Sequence, residues 1–228
     1  MICVVSVIKY PKYFGFFGVL SMALFHLPLF FNKKISFYKL MGTGKNGSFD
    51  IHPDWNQWVV LIILNDELEI LNDANRFVKL QSMKGSFINA YLKFFNCKVE
   101  NIFMKPLVSH GTWDGKYCFG KDLIRKEFQG KIAVLTRATI RFNRLKNFWT
   151  HVPKVNEKMN ENEGLIYSIG MGEIPFIKQA TLSIWQDEAS MKNFAYQQKE
   201  HVEVIQKTRK ENWYSEEMFT RFEVIEII

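Results

Sequence analysis

Apolar runs and their spacers recur along the chain in the same order twice. In the first half, residues 4–9 predict a short strand, residues 14–27 a helix, and residues 35–42 a strand ending in Met41-Gly42. Residues 58–64 predict a third strand, closed by Asn65-Asp66; residues 67–84 then predict a helix and residues 101–108 a fourth strand. The second half repeats the order. Strand 132–141 leads to helix 145–159 and to strand 165–172, which again ends in Met-Gly at Met171-Gly172. Strand 180–185 is closed by Gln186-Asp187, and helices over 188–212 precede a last strand at 219–227. Each half reads strand-helix-strand-strand-helix-strand, the ferredoxin-like split βαβ plan. The expectation is an α+β chain of two fused ferredoxin-like halves, a dimeric-α/β-barrel-type architecture. Residues 1–110 and 131–228 form the halves, and 111–130, with Gly111, Gly115, Gly120 and Gly130, connects them. An open antiparallel sheet leaves one face without helical cover, and a second sheet in the same chain supplies the missing partner.

With 228 residues, 47% hydrophobic and 23% charged, the chain can bury a full core in one or two compact units. Aromatic residues reach 15%, including 21 Phe, which suits core packing or a site for a large flat or polyene ligand. The net charge of +7 comes from Lys and Arg dispersed among acids, without an arginine-rich run or a nucleic-acid module. That argues against nucleic acid and leaves an anionic membrane surface or an acidic redox partner. Cys3, Cys97 and Cys118 have no CxxC spacing, so neither a disulfide framework nor a zinc site is indicated and a reducing cytoplasm fits.

Residues 13–31 are uncharged and about long enough to cross a bilayer, with Lys9 and Lys12 before them and Lys33-Lys34 after. The run before them already reads as a buried strand, no small-x-small cleavage site follows, and His26 and Pro28 interrupt the stretch. A helix packed on the first sheet, touching lipid at most, is expected in place of a transmembrane anchor.

Residues 194–222 mix features that a plain surface helix does not need. On a helix, His201, Val204, Ile205 and Thr208 fall at i, i+3, i+4 and i+7 and share a face, while Glu203, Lys207 and Lys210 fall largely elsewhere. Trp213-Tyr214 closes the segment. An inward imidazole binds a metal, carries a proton or sits satisfied in the core. HVEVIQKTRKENWYSEEMFTRF, starting at His201, resembles the C-terminal signature of the spheroidene monooxygenase family, the acyclic-carotenoid ketolases. TRATIRFNRLKNFWTHVPKV from Thr136, GLIYSIGMGE from Gly164 and QATLSIWQDEASMKNFAY from Gln179 resemble it too, in the same order and approximate spacing. ISFYKLMGTGKNGSF from Ile35 and PLVSHGTWDG from Pro106 do so less specifically, and Cys118-Phe119 departs from an expected Pro-Phe pair. The resemblance covers nearly the whole chain. It implies the same two-sheet fold and electrons from a ferredoxin-type donor.

The second-half strands suggest where a cofactor could sit. Alternation places Leu135, Arg137, Thr139 and Arg141 on one face of their strand, Ser168, Gly170 and Gly172 on one face of the next, and Thr181 and Ser183 on one face of the third. If these faces coincide, they form a small polar floor flanked by arginines, which bind carboxylates in a planar fork; otherwise the glycines serve tight packing and the arginines are exposed. Haem requires room for a flat ring, a basic clamp for its propionates and an inward histidine. Under this reading His201 is the metal ligand, and Ser168, Gly170, Thr181, Ser183 and Trp213 line the cofactor. Arg137, Arg141 and Tyr214 serve catalysis, the arginines at the propionates or in oxygen activation. Iron is needed because ground-state oxygen reacts poorly with an unactivated C–H bond. The expected function is a haem-dependent monooxygenase acting on a carotenoid or similar long apolar small molecule. Alternatives on the same fold are a non-catalytic haem- or lipid-binding protein and another haem chemistry such as aldoxime dehydration. His110 reads as a surface histidine in a turn-rich segment, and His26, His52 and His151 lack ligand-like neighbours. GTGKNGS from Gly42 lacks P-loop spacing, the adjacent Glu216 and Glu217 point apart, and no serine or cysteine nucleophile motif is present.

Overall fold

The computed structural model describes residues 1–64, 80, 84–121, 128–197 and 199–228, the side chains of 196, 197, 199–202 and 205 excepted. The first half supplies β1 (Ile2–Lys9), α1 (Gly15–Leu24), α2 (His26–Phe30), β2 (Ile35–Gly44), β3 (Pro53–Leu64), α3 (Ser86–Phe94) and β4 (Lys98–Gly111). The second supplies β5 (Ile132–Ile140), α4 (Leu145–Asn160), β6 (Leu165–Ile174), β7 (Lys178–Trp185), α5 (Glu188–Gln197), α6 (Lys199–Lys210) and β8 (Tyr214–Ile227). The sheet runs β1-β3-β2-β6-β7-β5-β8-β4 and closes on itself. Its first four strands stand in the order β4-β1-β3-β2 and its last four in the order β8-β5-β7-β6, so each half has the ferredoxin-like order and the fold is the expected α+β barrel. β2 and β6, which carry the repeated Met-Gly pairs, hold equivalent places.

Four elements differ from expectation, one being β3, which begins at Pro53, upstream of the expected 58. The helix expected over 14–27 divides at Phe25 into α1 and α2. α3 was not expected, although Ile88, Leu92 and Phe95 are buried at i, i+4 and i+7. β8 begins at Tyr214, upstream of the expected 219, because the polar Ser215, Glu216 and Glu217 extend the strand in pairing with β5. The helix expected at 67–84 lies outside the described residues except for Leu80 and Lys84.

Two compact units partition the chain, and the first holds residues 1–42, 54–105 and 225–228. Val4, Ile8, Val60, Ile62 and Phe103 pack with Phe25, Leu29, Ile88 and Leu92 from the helices in one continuous cluster. The alternate residues Cys3, Val5, Val7, Val59, Leu61 and Ile63 are just as buried, so β1 and β3 read as apolar runs and not as an alternation. α1 comes close to the sheet at Gly18, where a Cβ would stand 2.2 Å from the Trp58 indole nitrogen. One polar position interrupts the helix-covered face. Ser6 lies opposite Asn101 in the register of β1 and β4 and donates to its Oδ1 at 2.7 Å. The buried Lys84 amine donates to both, at 2.5 Å and 2.9 Å. Burial pulls Lys84 down to about 7.

The second unit holds residues 43–53 and 106–224. β5 pairs with β7 and β8, and β6 pairs with β7. Phe148, Val152 and Met159 of α4, Met191 and Phe194 of α5, and Val204 of α6 cover one face. Among the described residues no helix is long and apolar enough to cross a membrane.

Candidate active site on the helix-covered face of the second unit

The strand registers decide which side chains share a face. Ser168 stands opposite Ser183, and Gly170 opposite Thr181; Thr136 stands opposite Thr181, and Val134 opposite Ser183. These residues make one strip of small, mostly polar positions beneath α4, α5 and α6. The apolar residues on this face fall into two separate clusters. Ile132, Val134, Met159, Trp185, Met191 and Phe194 form one; Ile140, Phe148, Val152 and Trp213, with Phe49, Val204 and Tyr214 against them, form the other. Between them Thr136, in the middle of β5, is exposed, and Ser168 and Thr181 are half-buried. A solvent-reached residue at mid-strand under a helical layer marks a slot between the two clusters.

Gly170 does not add open volume to this slot. A Cβ there would lie 2.5 Å from the Phe49 Cα and 2.8 Å from the Ser48 carbonyl oxygen. The 48–49 backbone passes directly over the glycine, and Phe49 then meets Phe148 at 6.0 Å and Trp149 at 5.6 Å between ring centroids. The expected empty floor is therefore open at Thr136, Ser168 and Thr181 and closed at Gly170.

α6 follows the spacing read from the sequence. Val204 packs on the second cluster and Thr208 is buried. His201 occupies the preceding turn of the helix, and its side chain lies outside the described residues. Trp213 is fully buried and its indole donates to Glu211 at 2.9 Å. Asn147 and Arg144 add bonds to the same carboxylate oxygen. The Trp213 hydrogen bond is the main cause holding Glu211 below the usual carboxylate value. His151 sits 5.4 Å from the Trp213 ring. Its Nδ1 donates to the Asn147 carbonyl at 2.7 Å, leaving Nε2 as acceptor for Lys207 at 3.4 Å. Burial pushes the Tyr214 phenol up to about 12, against the opposing effect of the Thr208 hydroxyl.

Arg137 is not on this face. It stands opposite Ala180 and Met218, one residue out of phase with Thr136 and hence on the other side of the sheet from Ser168, Gly170, Thr181 and Ser183. Its side chain is fully buried and meets protein carboxylates: Nη1 binds Glu216, Nη2 lies 3.3 Å from Asp114, and Nε lies 3.9 Å from Glu173. Trp113 donates to Glu173 at 2.7 Å and places its ring 5.9 Å from the guanidinium. Glu216 also accepts from the Thr112 hydroxyl at 2.8 Å and the Gly115 N–H at 2.7 Å. Burial works to raise Glu216, but Gly115, Thr112 and Arg137 together hold it below its usual value. Lys178 joins through Asp114 at 2.6 Å. Arg141 is exposed and donates to the Tyr214 carbonyl at 3.2 Å. The expectation that both arginines flank the small floor is thereby corrected. Alternation fixes parity within a strand, and only the pairing register relates one strand to the next.

By residue type, the small floor and the helix that carries His201 suit a ring cofactor, whereas Arg137 stands on the opposite face of the sheet and Arg141 is exposed. Sequence reading missed Trp113, Asp114 and Glu173, whose shared role is set by contacts among separate segments. The one local signal was the turn in TWDG, where Asp114 and Gly115 both take positive φ, at 51° and 72°. His110, at the end of β4, is exposed as expected.

No protein-family model matches the chain. The spheroidene monooxygenase of Rhodobacter capsulatus is 30% identical over 206 residues, 90% of this chain and 82% of that protein. The spheroidene monooxygenase of Cereibacter sphaeroides is 31% identical over 84% of this chain, which spans 56% of that longer protein. Among solved structures, an aldoxime dehydratase superposes with TM-score 0.62 at 7% identity, covering 98% of this chain and 80% of its own. A second, in complex with butyraldoxime, gives 0.63 at 6% identity over 98% and 79%. At these identities the likeness is one of fold. The relatives by sequence define the class: the chain is an oxidoreductase of the monooxygenase type. Within that class it belongs to the spheroidene monooxygenase family.

Proposed function

We propose that the chain is a haem-dependent monooxygenase that introduces oxygen into a carotenoid or similar long apolar molecule, with electrons from a ferredoxin-type donor. The observation that carries this reading is the slot over Thr136, Ser168 and Thr181, between two apolar clusters and beneath the helix that bears His201. Of the five histidines, His201 alone shares a helix face with Val204 and Thr208. When bound, haem supplies the oxygen activation that side chains lack. The chain's residues hold and orient it. His201 would ligate the haem iron, and Ser168, Thr181 and Ser183 would form the floor beneath the ring. Gly170 seats Phe49 at the edge, and Trp213 and Tyr214 belong to the wall. The two apolar clusters keep water from a long hydrocarbon. Arg137 has no part in holding propionates.

Titration of haem into the purified protein tests this through the absorption spectrum. A Soret band that is lost or displaced in His201→Ala and retained in His110→Ala is the expected result. Loss in His110→Ala alone would move the ligand to the end of β4, and a wild type without a Soret band would overturn haem dependence.

A further inference from the structure

The uncharged stretch of the first unit is neither a bilayer span nor a fully buried helix. α1 and α2 pack inward through Gly18, Ser21, Phe25 and Leu29. Their other side turns Phe16, Leu27, Phe30 and Phe31 to solvent at 71%, 67%, 72% and 70% exposure, with Leu20 and Leu24 also exposed. Phe94 of α3, 81% exposed, follows the same pattern, and its neighbour Phe95 stacks on Phe17 at 4.4 Å. Apolar exposure on this scale marks an interaction surface. No Asp, Glu, Lys or Arg occurs from Tyr13 to Phe31, while the exposed Lys9, Lys12, Lys33 and Lys34 stand at its two ends.

We propose that this face docks on an anionic lipid bilayer. α1 and α2 lie in the plane of the interface, with Phe and Leu at the acyl boundary and the lysines among the phosphate headgroups. At 10 residues, α1 reaches about 15 Å, half of a roughly 30 Å hydrocarbon core, so it lies on the bilayer and does not cross it. Charge selects lipid over a second copy of the chain. A twofold contact would bring the same lysine ends together, whereas an anionic leaflet neutralises them. The inference deepens the function proposed above, because a long apolar substrate dissolves in the bilayer.

Flotation of the full chain with vesicles tests it, and neither haem nor turnover enters the readout, so the two proposals can fail separately. The wild type is expected to float with phosphatidylcholine–phosphatidylglycerol vesicles and more weakly with pure phosphatidylcholine. Phe16→Ser with Phe30→Ser should lower partitioning by roughly tenfold or more, and Lys33→Gln with Lys34→Gln by about fivefold per lysine. Both pairs replace exposed side chains, so circular dichroism and melting should match the wild type. A wild type that stays in the buffer, or a Phe pair that floats undiminished, would overturn the proposal. So would a wild-type dimer that the Phe pair dissociates without any vesicle binding, which assigns the face to a second copy.

Discussion

A guanidinium with no exposure persists only where its charge is answered, and Arg137 is answered by Glu216, Asp114 and Glu173. Arg137→Met removes the cation and leaves carboxylates facing one another, which should destabilise the fold by about 3–5 kcal/mol; urea unfolding measures it. Glu216 gives the same cluster an acid limit. Its folded carboxyl binds protons less readily than the unfolded one. Its contribution is therefore complete above the usual carboxylate value and is lost as pH falls through the folded value. Glu216→Gln should melt lower at neutral pH and lose less of its stability on acidification. Lys84 works in the opposite window. The folded amine releases its proton near 7, while the unfolded amine holds it to about 10.5. Between these values the unfolded state binds more protons, so stability rises with pH. Lys84→Met should raise the melting temperature at pH 6 and flatten the rise between pH 7 and 10, which thermal melts across that range would show.

Elements were more legible than the contacts between them. Apolar runs located every strand of the second half to within a few residues, apart from the early start of β8, and Met41-Gly42 and Met171-Gly172 marked β2 and β6 as counterparts. What the sequence could not supply was register. The parity of Arg137 within β5 was read correctly, but its relation to Thr181 on β7 depends on pairing that no local pattern encodes. The strip of small residues was likewise visible, yet the segment that crosses Gly170 comes from more than a hundred residues upstream, at Ser48 and Phe49. That crossing makes Gly170 intolerant of a side chain. Gly170→Val must push a backbone, not a flexible tip, and should cost about 1–3 kcal/mol. Thermal unfolding gives the loss. A fluorescence change near Trp149, which packs on Phe49, would report displacement of the segment.

Across the whole chain, the repeat shows how one plan serves two ends. Ser6 and Thr136 are each the fifth residue of the first strand in their half, on the helix-covered face of their own unit. Over Ser6 the Lys84 side chain comes down from the helical layer, and that unit's helix-covered face carries a continuous core cluster. Over Thr136 nothing comparable descends from the described side chains: the residue is exposed, and the apolar residues divide into two clusters on either side of it. The first unit is thus filled at the position where the second is open, and the difference rests on a few side chains and not on a change of fold. The proposed haem site is the open member of this pair of positions. Thr136→Trp places an indole where solvent now reaches, so it meets little packed structure and should leave stability within about 1 kcal/mol of wild type. The same indole should fill the slot and suppress the Soret band on haem titration. Lys84→Met, its control in the other half, should leave the haem spectrum unchanged. Normal haem uptake by Thr136→Trp would mean that the ring binds elsewhere.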